Sequence, residues 1–144
     1  MAVEFAAGPA PFDRSRAPPY PIRVTDTEGA LVLDWGPMIE AILAERTDVA
    51  RAAARFHSTL ASGIVEVARR LGEGRVALTG GCFQNRRLTE LTLDGLVGAG
   101  FEPIWHARIP PNDGGISVGQ VLATARVKTR TRLDAFPAGE GRSE

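Results

Sequence analysis

The sequence predicts an α/β domain with a mixed sheet, in which a β-hairpin is followed by elements in the order α-β-α-β-α. Two short apolar runs near the start are separated by a Thr-Glu-Gly turn, a pattern typical of a hairpin. Further along, short apolar runs alternate with helical stretches through brief connections, which indicates parallel strands joined by crossover helices. A chain of 144 residues, of which 44% are hydrophobic, is long enough for one such domain with its own core.

The first elements are the hairpin and a short helix. Strands at 22–24 and 30–35 are joined through the turn at 27–29, and a helix then runs from Gly36-Pro37 to about residue 44.

The next helix has the clearest pattern in the chain. Thr47 is the predicted N-cap, Asp48 suits the first turn, and Gly72 is placed to end the helix. Apolar residues recur every three or four positions along one face, which is predicted to pack on a sheet: Val49, Ala53, Phe56, Leu60, Ile64, Val67 and Leu71.

The second half predicts strands and helices in alternation. These are a strand at 76–79, a helix at 85–99 ended by Gly100, a strand at 102–106 and a helix at 114–127. The patterned domain is therefore expected to span residues 20–127. Residues 1–19 and 128–144 lack an apolar period and are expected to be a flexible lead-in and a flexible tail.

The amino-acid composition limits the kinds of partner and the cellular compartment that we expect for this protein. The formal net charge is zero, so nothing points to a nucleic-acid or anionic-membrane partner, which usually require a basic excess. The single cysteine, Cys82, cannot form an internal disulfide and fits a reducing compartment. Because no secretory leader pattern and no apolar run of about 18 residues occur, we expect a soluble cytoplasmic protein.

Two turns carry paired glycines at the start of a helix. In the first turn, Gly80 and Gly81 allow backbone N–H groups to approach a ligand beyond the carboxyl end of a strand, where α/β proteins bind their ligands. The helix start favours an anion, so the turn is a candidate phosphate cradle, with Asn85 bonding the ligand and Arg86 and Arg87 attracting it. The alternative is an ordinary tight turn in which Asn85 caps the helix. Neither the P-loop nor the dinucleotide-binding fingerprint is present.

The second turn, Pro-Pro-Asn-Asp-Gly-Gly, places Asp113 directly before Gly114 and the last helix. A carboxylate here can ligate a cation that grips phosphate oxygens. The alternative is that Asp113 merely caps the helix. A metal needs several ligands, and the only imidazoles in the chain are those of His57 and His106.

The remaining candidates each have a structural and a functional interpretation. His57 flanks the apolar face of the long helix, where a partly buried structural histidine competes with a polar contact to a ligand. His106 ends a strand and could face the site. Cys82 follows the glycine turn and is either a nucleophile or a small buried side chain.

Taken together and in this order, the stretches YPIRV, LVLDW, ARFHSTLA, ALTGGCFQNRRL and PPNDGGISVGQ resemble the C-terminal end of the HypF-type carbamoyltransferases of nickel-iron hydrogenase maturation. The resemblance runs from about Tyr20 to Val127. It implies the C-terminal lobe of a two-lobed, actin-like ATPase fold.

The resemblance also implies a chemistry. Members of this family make a carbamoyl-adenylate from ATP and carbamoyl phosphate, and pass the carbamoyl group to a C-terminal cysteine of a maturation partner protein. It implies that Gly80, Gly81 and Gly114 line the nucleotide, that Asn85 helps to hold it, and that Asp113 is one ligand of a divalent metal, either Fe, Zn or Mg.

The sequence departs from complete members of this family. It lacks the H-x-x-x-H motif and the N-terminal lobe that carries it, so we expect a fragment that is inactive without these regions. Two alternatives stay open: a remnant that binds nucleotide or partner without chemistry, and a related O-carbamoyl or tRNA threonylcarbamoyl transferase.

Overall fold

The computed structural model describes residues 2–8, 18–45 and 48–134, with side chains as far as residue 126. Its elements in chain order are α1 (Ala2–Ala6), β1 (Arg23–Thr27), β2 (Ala30–Asp34), α2 (Gly36–Ala44), α3 (Val49–Leu71), β3 (Arg75–Leu78), α4 (Arg86–Gly98), β4 (Glu102–Trp105) and α5 (Ile116–Asp134). Short 3₁₀ segments at Gly81–Gln84 and Asp113–Gly115 precede α4 and α5. The predicted α/β class is confirmed, as is the predicted order of elements from the hairpin onward.

The hairpin forms because its turn residues adopt the backbone that a two-residue turn requires. Glu28 and Gly29 both have positive φ, at 54° and 81°, as in the turns that match the twist of paired strands. Asp26 Oδ1 accepts a hydrogen bond from Gly29 N at 3.2 Å. The predicted turn at 27–29 therefore joins β1 and β2 in antiparallel pairing.

The described strands form two separate two-stranded sheets, not one mixed sheet. β3 pairs with β4 in parallel, as predicted, but the hairpin does not add to this pair. It lies against α3 instead: a Cβ on Gly63 of α3 would come within 2.9 Å of Ile22 Cδ1 and 3.2 Å of Leu33 Cδ1.

The ends of α3 follow local signals, with one correction. Asp48 is the N-cap, its side chain accepting from Arg51 N at 3.2 Å, whereas the predicted cap Thr47 lies outside the described residues. Gly72 ends the helix in the left-handed conformation, with φ of 74°, as predicted.

The buried face of α3 differs from the predicted one. Val49 and Leu71, the ends of the predicted apolar face, are exposed, and four of its other members are only half-buried. The buried side chains are mostly small, and they are Ala53, Ala54, His57, Ser58, Thr59, Ala61, Val65 and Ala68. The reason is that α3 packs chiefly against α4, a close helix pair in which small side chains allow the backbones to approach.

The core lies where α3, α4 and β3 meet. Val65, Ala68, Leu78 and Leu96 form its buried centre, and Leu96 has no exposed surface. A Cβ on Gly95 would stand 2.9 Å from Val65 Cγ2, so the glycine permits this close packing.

The chain termini extend the ordered structure beyond the predicted domain. Residues 2–6 form α1, and Ala7 is buried beside Ala53 and Ala54 of α3, where the sequence predicted a flexible lead-in. α5 continues to Asp134, and the rest of the predicted tail lies outside the described residues. No helix in the described ranges is both long enough and apolar enough to cross a membrane.

We predict that Leu96→Ala lowers the free energy of unfolding by about 2–5 kcal/mol, because it leaves a cavity in the core. The neighbouring Val97 is 62% exposed, so Val97→Ala should cost less than about 0.5 kcal/mol. Urea unfolding of both variants measures the difference. Equal losses would contradict this account of the core.

Candidate functional site

The parallel pairing of β3 and β4 places the starts of two loops at one edge of a sheet. Leu78 lies opposite Trp105 at the carboxyl ends of β3 and β4. The next residues are also linked, since His106 Nε2 lies 3.0 Å from Thr79 Oγ1. The chain then continues from Thr79 directly into the first glycine turn, and from His106 into the loop that carries Asp113.

The backbone of the first turn requires glycine at one position and is open at both. Gly80 has φ 99° and ψ 159°, a region that only glycine adopts readily. Among the residues that the structure describes, no atom would lie within 4 Å of a Cβ on Gly80 or on Gly81. The first 3₁₀ hydrogen bond runs from Phe83 N to Gly80 O at 3.1 Å, so the N–H groups of Gly81 and Cys82 precede it and have no acceptor within the turn.

Asn85 is the N-cap of α4, which was one of its two predicted interpretations. Its Oδ1 accepts from Leu88 N at 2.9 Å, and its Nδ2 lies 2.8 Å from His57 Nε2. Its backbone carbonyl accepts from Thr89 N at 3.0 Å. Asn85 therefore joins the glycine turn, the first turn of α4 and the middle of α3.

The predicted role of the two arginines as anion attractors does not match their contacts. Arg87 is buried, its guanidinium donates to Gly8 O, and its backbone N–H lies 3.4 Å from Glu4 Oε1. Arg86 is exposed and pairs with Glu90 at 2.6 Å; this hydrogen bond raises the pKa of its guanidinium above the ordinary value. Both cations already have partners.

His57 is a buried structural residue, as one interpretation of the sequence had it. It is 1% exposed, and its Nδ1 lies 2.7 Å from Ala53 O. Because a carbonyl only accepts hydrogen bonds, Nδ1 carries the proton and Nε2 accepts from Asn85. With both nitrogens engaged, His57 offers neither a base to the exposed Cys82 nor a metal ligand.

In the second turn the cap, one of the two predicted interpretations of Asp113, is provided by its neighbour. Asn112, not Asp113, provides the cap: its Oδ1 accepts from Gly114 N at 3.0 Å, and its carbonyl accepts from Gly115 N at 2.9 Å. The Asp113 side chain is exposed and makes no hydrogen bond or ion pair with any described residue. Its carboxylate is therefore available to a ligand.

Gly114 has a steric role in this turn. A Cβ on Gly114 would come within 3.0 Å of Asn112 Oδ1 and 3.3 Å of Pro110 Cγ. The N–H of Gly114 already donates to Asn112 Oδ1, so a ligand close to Gly114 would contact its Cα, which carries no side chain.

The described residues provide only part of the ligand set that a metal ion needs. Within the ranges that the structure describes, no three His, Cys, Asp or Glu side chains come together to hold a metal ion. Asp113 fits one position in a coordination shell, and the other ligands would have to come from elsewhere.

Sequence reasoning missed two residues at the site. Asn112 carries a detectable signal, since Asn is among the preferred helix caps. Glu4, which reaches the start of α4, carries none, because its contact joins residues 83 positions apart.

We predict that Gly80→Ala lowers the free energy of unfolding by about 1–3 kcal/mol, since alanine is strained at this φ and ψ. Gly81→Ala should cost less than about 1 kcal/mol, because the space beside it is open and its φ is not in the left-handed range. Thermal or urea unfolding compares the two variants. A Gly81→Ala loss as large as that of Gly80→Ala would argue against the described turn.

The sequence of this chain matches a known protein family and several of its members. Residues 1–120 match the family model described as carbamoyltransferase, Kae1-like domain, second subdomain. The carbamoyltransferase HypF of Synechocystis sp. is 42% identical over 110 residues, which cover 76% of this chain and 14% of that protein. HypF of Rhodobacter capsulatus is 43% identical over 98 residues, covering 65% of this chain and 13% of that protein.

Solved structures agree in fold. Full-length HypF in the phosphate- and nucleotide-bound form superposes with a TM-score of 0.66 at 28% identity, over 76% of this chain and 15% of that one. HypF of T. kodakarensis gives a TM-score of 0.66 at 25% identity, over 90% of this chain and 17% of that one. The chain thus spans about one seventh of the length of the curated relatives named above.

Proposed function

The chain belongs to the family of carbamoyltransferase Kae1-like second subdomains, and from this premise we propose that it forms one side of a nucleotide cleft in a carbamoyltransferase of nickel-iron hydrogenase maturation. The observation that carries the proposal is one edge of the β3–β4 sheet, from which the first glycine turn and the loop to Asp113 both leave; the N–H groups of Gly81 and Cys82 in that turn and the Asp113 carboxylate bond no described residue.

The first turn is suited to the phosphates of ATP or of a carbamoyl-adenylate. Gly80 and Gly81 leave open space next to the N–H groups of Gly81 and Cys82, which would donate to phosphate oxygens. Asn85 holds this turn through its cap, and its amide keeps one N–H and one lone pair for a ligand. Gly114 would allow close approach from the second turn.

Asp113 is the proposed ligand of a divalent cation, which is Fe, Zn or Mg. When bound, this cation would neutralise charge on phosphate oxygens of the nucleotide. The exposed carboxylate of Asp113 would fix the cation relative to the sheet edge, and Asn112 would hold the turn that carries it.

The proposed reaction is acyl transfer to sulfur. A thiolate from the C-terminal cysteine of a maturation partner protein attacks the carbamoyl carbon of carbamoyl-adenylate. A C–S bond forms, the bond from that carbon to the phosphate oxygen breaks, and AMP leaves with the electron pair. The part of this chain is to bind and orient the nucleotide.

The rest of the cleft would come from regions outside this sequence. One metal ligand and one phosphate turn cannot enclose a nucleotide, and the chain spans only a small part of its relatives. α5 also exposes apolar side chains, including Val118, Val121 and Leu122, as expected of a surface that another region covers. We propose that such regions, on the same or another chain, complete the enzyme in the cytoplasm.

A second candidate is a remnant that binds nucleotide or partner without chemistry. The first glycine turn favours it, because the N–H groups of Gly81 and Cys82 could bind a phosphate without any catalytic side chain. A related O-carbamoyl or tRNA threonylcarbamoyl transferase is disfavoured, since the two relatives described above are HypF carbamoyltransferases.

We predict that the chain alone binds ATP weakly, with a dissociation constant on the order of 1 mM, and does not transfer carbamoyl groups. Titration calorimetry with ATP and Mg²⁺ measures the first quantity, and AMP release from ATP and carbamoyl phosphate measures the second. Turnover by the chain alone would overturn the proposal of a half cleft.

We predict that Asp113→Ala abolishes metal-dependent turnover when the chain is combined with the other regions of a HypF enzyme. The free energy of unfolding should change by less than about 0.5 kcal/mol, because the carboxylate has no described partner.

Asn112→Ala is the matched control for Asp113→Ala. It should lose about 1 kcal/mol with the cap but retain part of the metal-dependent turnover, because the Asp113 carboxylate is still present. If the two variants lost the same stability and both kept activity, Asp113 would not be a metal ligand.

A further inference from the structure

His57 lies at the centre of a chain of hydrogen bonds that ends at the first glycine turn. Its Nδ1–H donates to Ala53 O at 2.7 Å, its Nε2 accepts from Asn85 Nδ2 at 2.8 Å, and Asn85 Oδ1 accepts from Leu88 N at 2.9 Å. Each donor faces an acceptor. The chain thus links the backbone of α3 to the first turn of α4.

We propose that His57 is a positioning residue, which fixes the amide of Asn85 in one orientation and thereby sets the glycine turn that is proposed to bind nucleotide. The inference rests on the proposed function only for the identity of the ligand. The positioning itself rests on the contacts of His57 and Asn85.

Only one amide orientation satisfies this arrangement. If Asn85 were flipped, its NH₂ would face the donor Leu88 N–H, and its Oδ1 would face the unprotonated Nε2 of His57. Both hydrogen bonds would be lost in a partly buried setting, which is unfavourable. The tautomer of His57, set by Ala53 O, therefore determines which way the Asn85 side chain points.

Asn85 transmits this constraint to the glycine turn. Its N–H donates to Cys82 O at 3.1 Å, closing the 3₁₀ segment that begins at Gly81. Thr89 Oγ1 adds a second tie, since it lies 3.0 Å from both Phe83 O and Asn85 O. A shift of Asn85 would move the N–H groups of Gly81 and Cys82.

The composition of the buried face of α3 supports a role beyond packing. His57 is the one imidazole among buried side chains that are otherwise Ala, Val, Ser, Thr and Gly. An apolar side chain would give the same burial without the cost of desolvating two ring nitrogens. The histidine is the buried side chain of α3 that reaches Asn85.

The test compares His57→Leu with His57→Gln by NMR, with the exposed Arg70→Gln on the same helix as control. Leucine removes the acceptor, whereas the glutamine amide oxygen can still accept from Asn85. We expect His57→Leu to shift the amide signals of residues 80–89 and of the Asn85 NH₂ group, and to raise the dissociation constant for ATP roughly fivefold to tenfold. His57→Gln should stay within about twofold of the original chain, and Arg70→Gln should change neither the signals nor the affinity.

The imidazole itself gives a second readout. The ¹⁵N shifts of His57 in the unaltered chain should show a protonated Nδ1 and an unprotonated Nε2. A folded His57→Leu variant with unchanged turn signals and ATP affinity would overturn the proposal, as would an Nε2-protonated His57.

Asn85→Ser covers the case in which His57→Leu does not fold. Serine keeps a cap oxygen but has no amide to donate, so the Nε2 shift of His57 and the turn signals should both move. If neither moves, His57 does not position Asn85. The proposed function has its own test: if ATP shifts no NMR signal of the unaltered chain, nucleotide binding is contradicted. The amide signals of the glycine turn in the variants would still show whether His57 positions Asn85.

Discussion

The close approach of α3 to α4 determines where the other described elements lie. It depends on small side chains, since a Cβ on Gly95 would stand 2.9 Å from Val65 Cγ2. With the helices this near, Leu96 and Leu78 share one core, and β3 is held beneath both helices. The same approach brings His57 within hydrogen-bond distance of Asn85. The packing and the geometry of the glycine turn are therefore consequences of one helix contact.

Local signals predicted the elements well, and non-local contacts account for the differences. The hairpin turn and the end of α3 depend on residues whose positive φ angles are a local preference of glycine, such as Gly29 and Gly72. The buried face of α3 could not be predicted, because a helix touched by α4, α1 and the hairpin buries small residues on several sides. The helical run at the N-terminus was missed because its partners, including Arg87, are distant in sequence.

The two glycine turns look alike in sequence but differ in the reason why glycine suits each position. The backbone angles of Gly80 favour glycine, and no described atom would lie within 4 Å of a Cβ there. A Cβ on Gly114, in contrast, would stand 3.0 Å from Asn112 Oδ1 and 3.3 Å from Pro110 Cγ. The parallel pairing of β3 and β4 places the carboxyl ends of the two strands side by side, and the first turn and the loop to Asp113 both leave from this edge. Sequence alone could not decide which of two adjacent polar residues caps the second turn. Asn and Asp have similar preferences as caps, and only the structure shows that Asn112 accepts from Gly114 N while the Asp113 side chain bonds no described residue.

The contacts at the start of α4 limit what the first turn can contribute to binding an anion. Asn85 occupies the N–H of Leu88, the Glu4 carboxylate lies at that of Arg87, and the side chains of both arginines are paired. The helix start is thus already largely neutralised by the protein itself. A phosphate at this turn would gain hydrogen bonds from Gly81 and Cys82 but little charge compensation. Its charge would have to be balanced by a cation, and Asp113 at the second turn offers that cation a single ligand. Phosphate and cation binding would therefore depend on each other, and both would depend on ligands that this chain does not contain among its described residues.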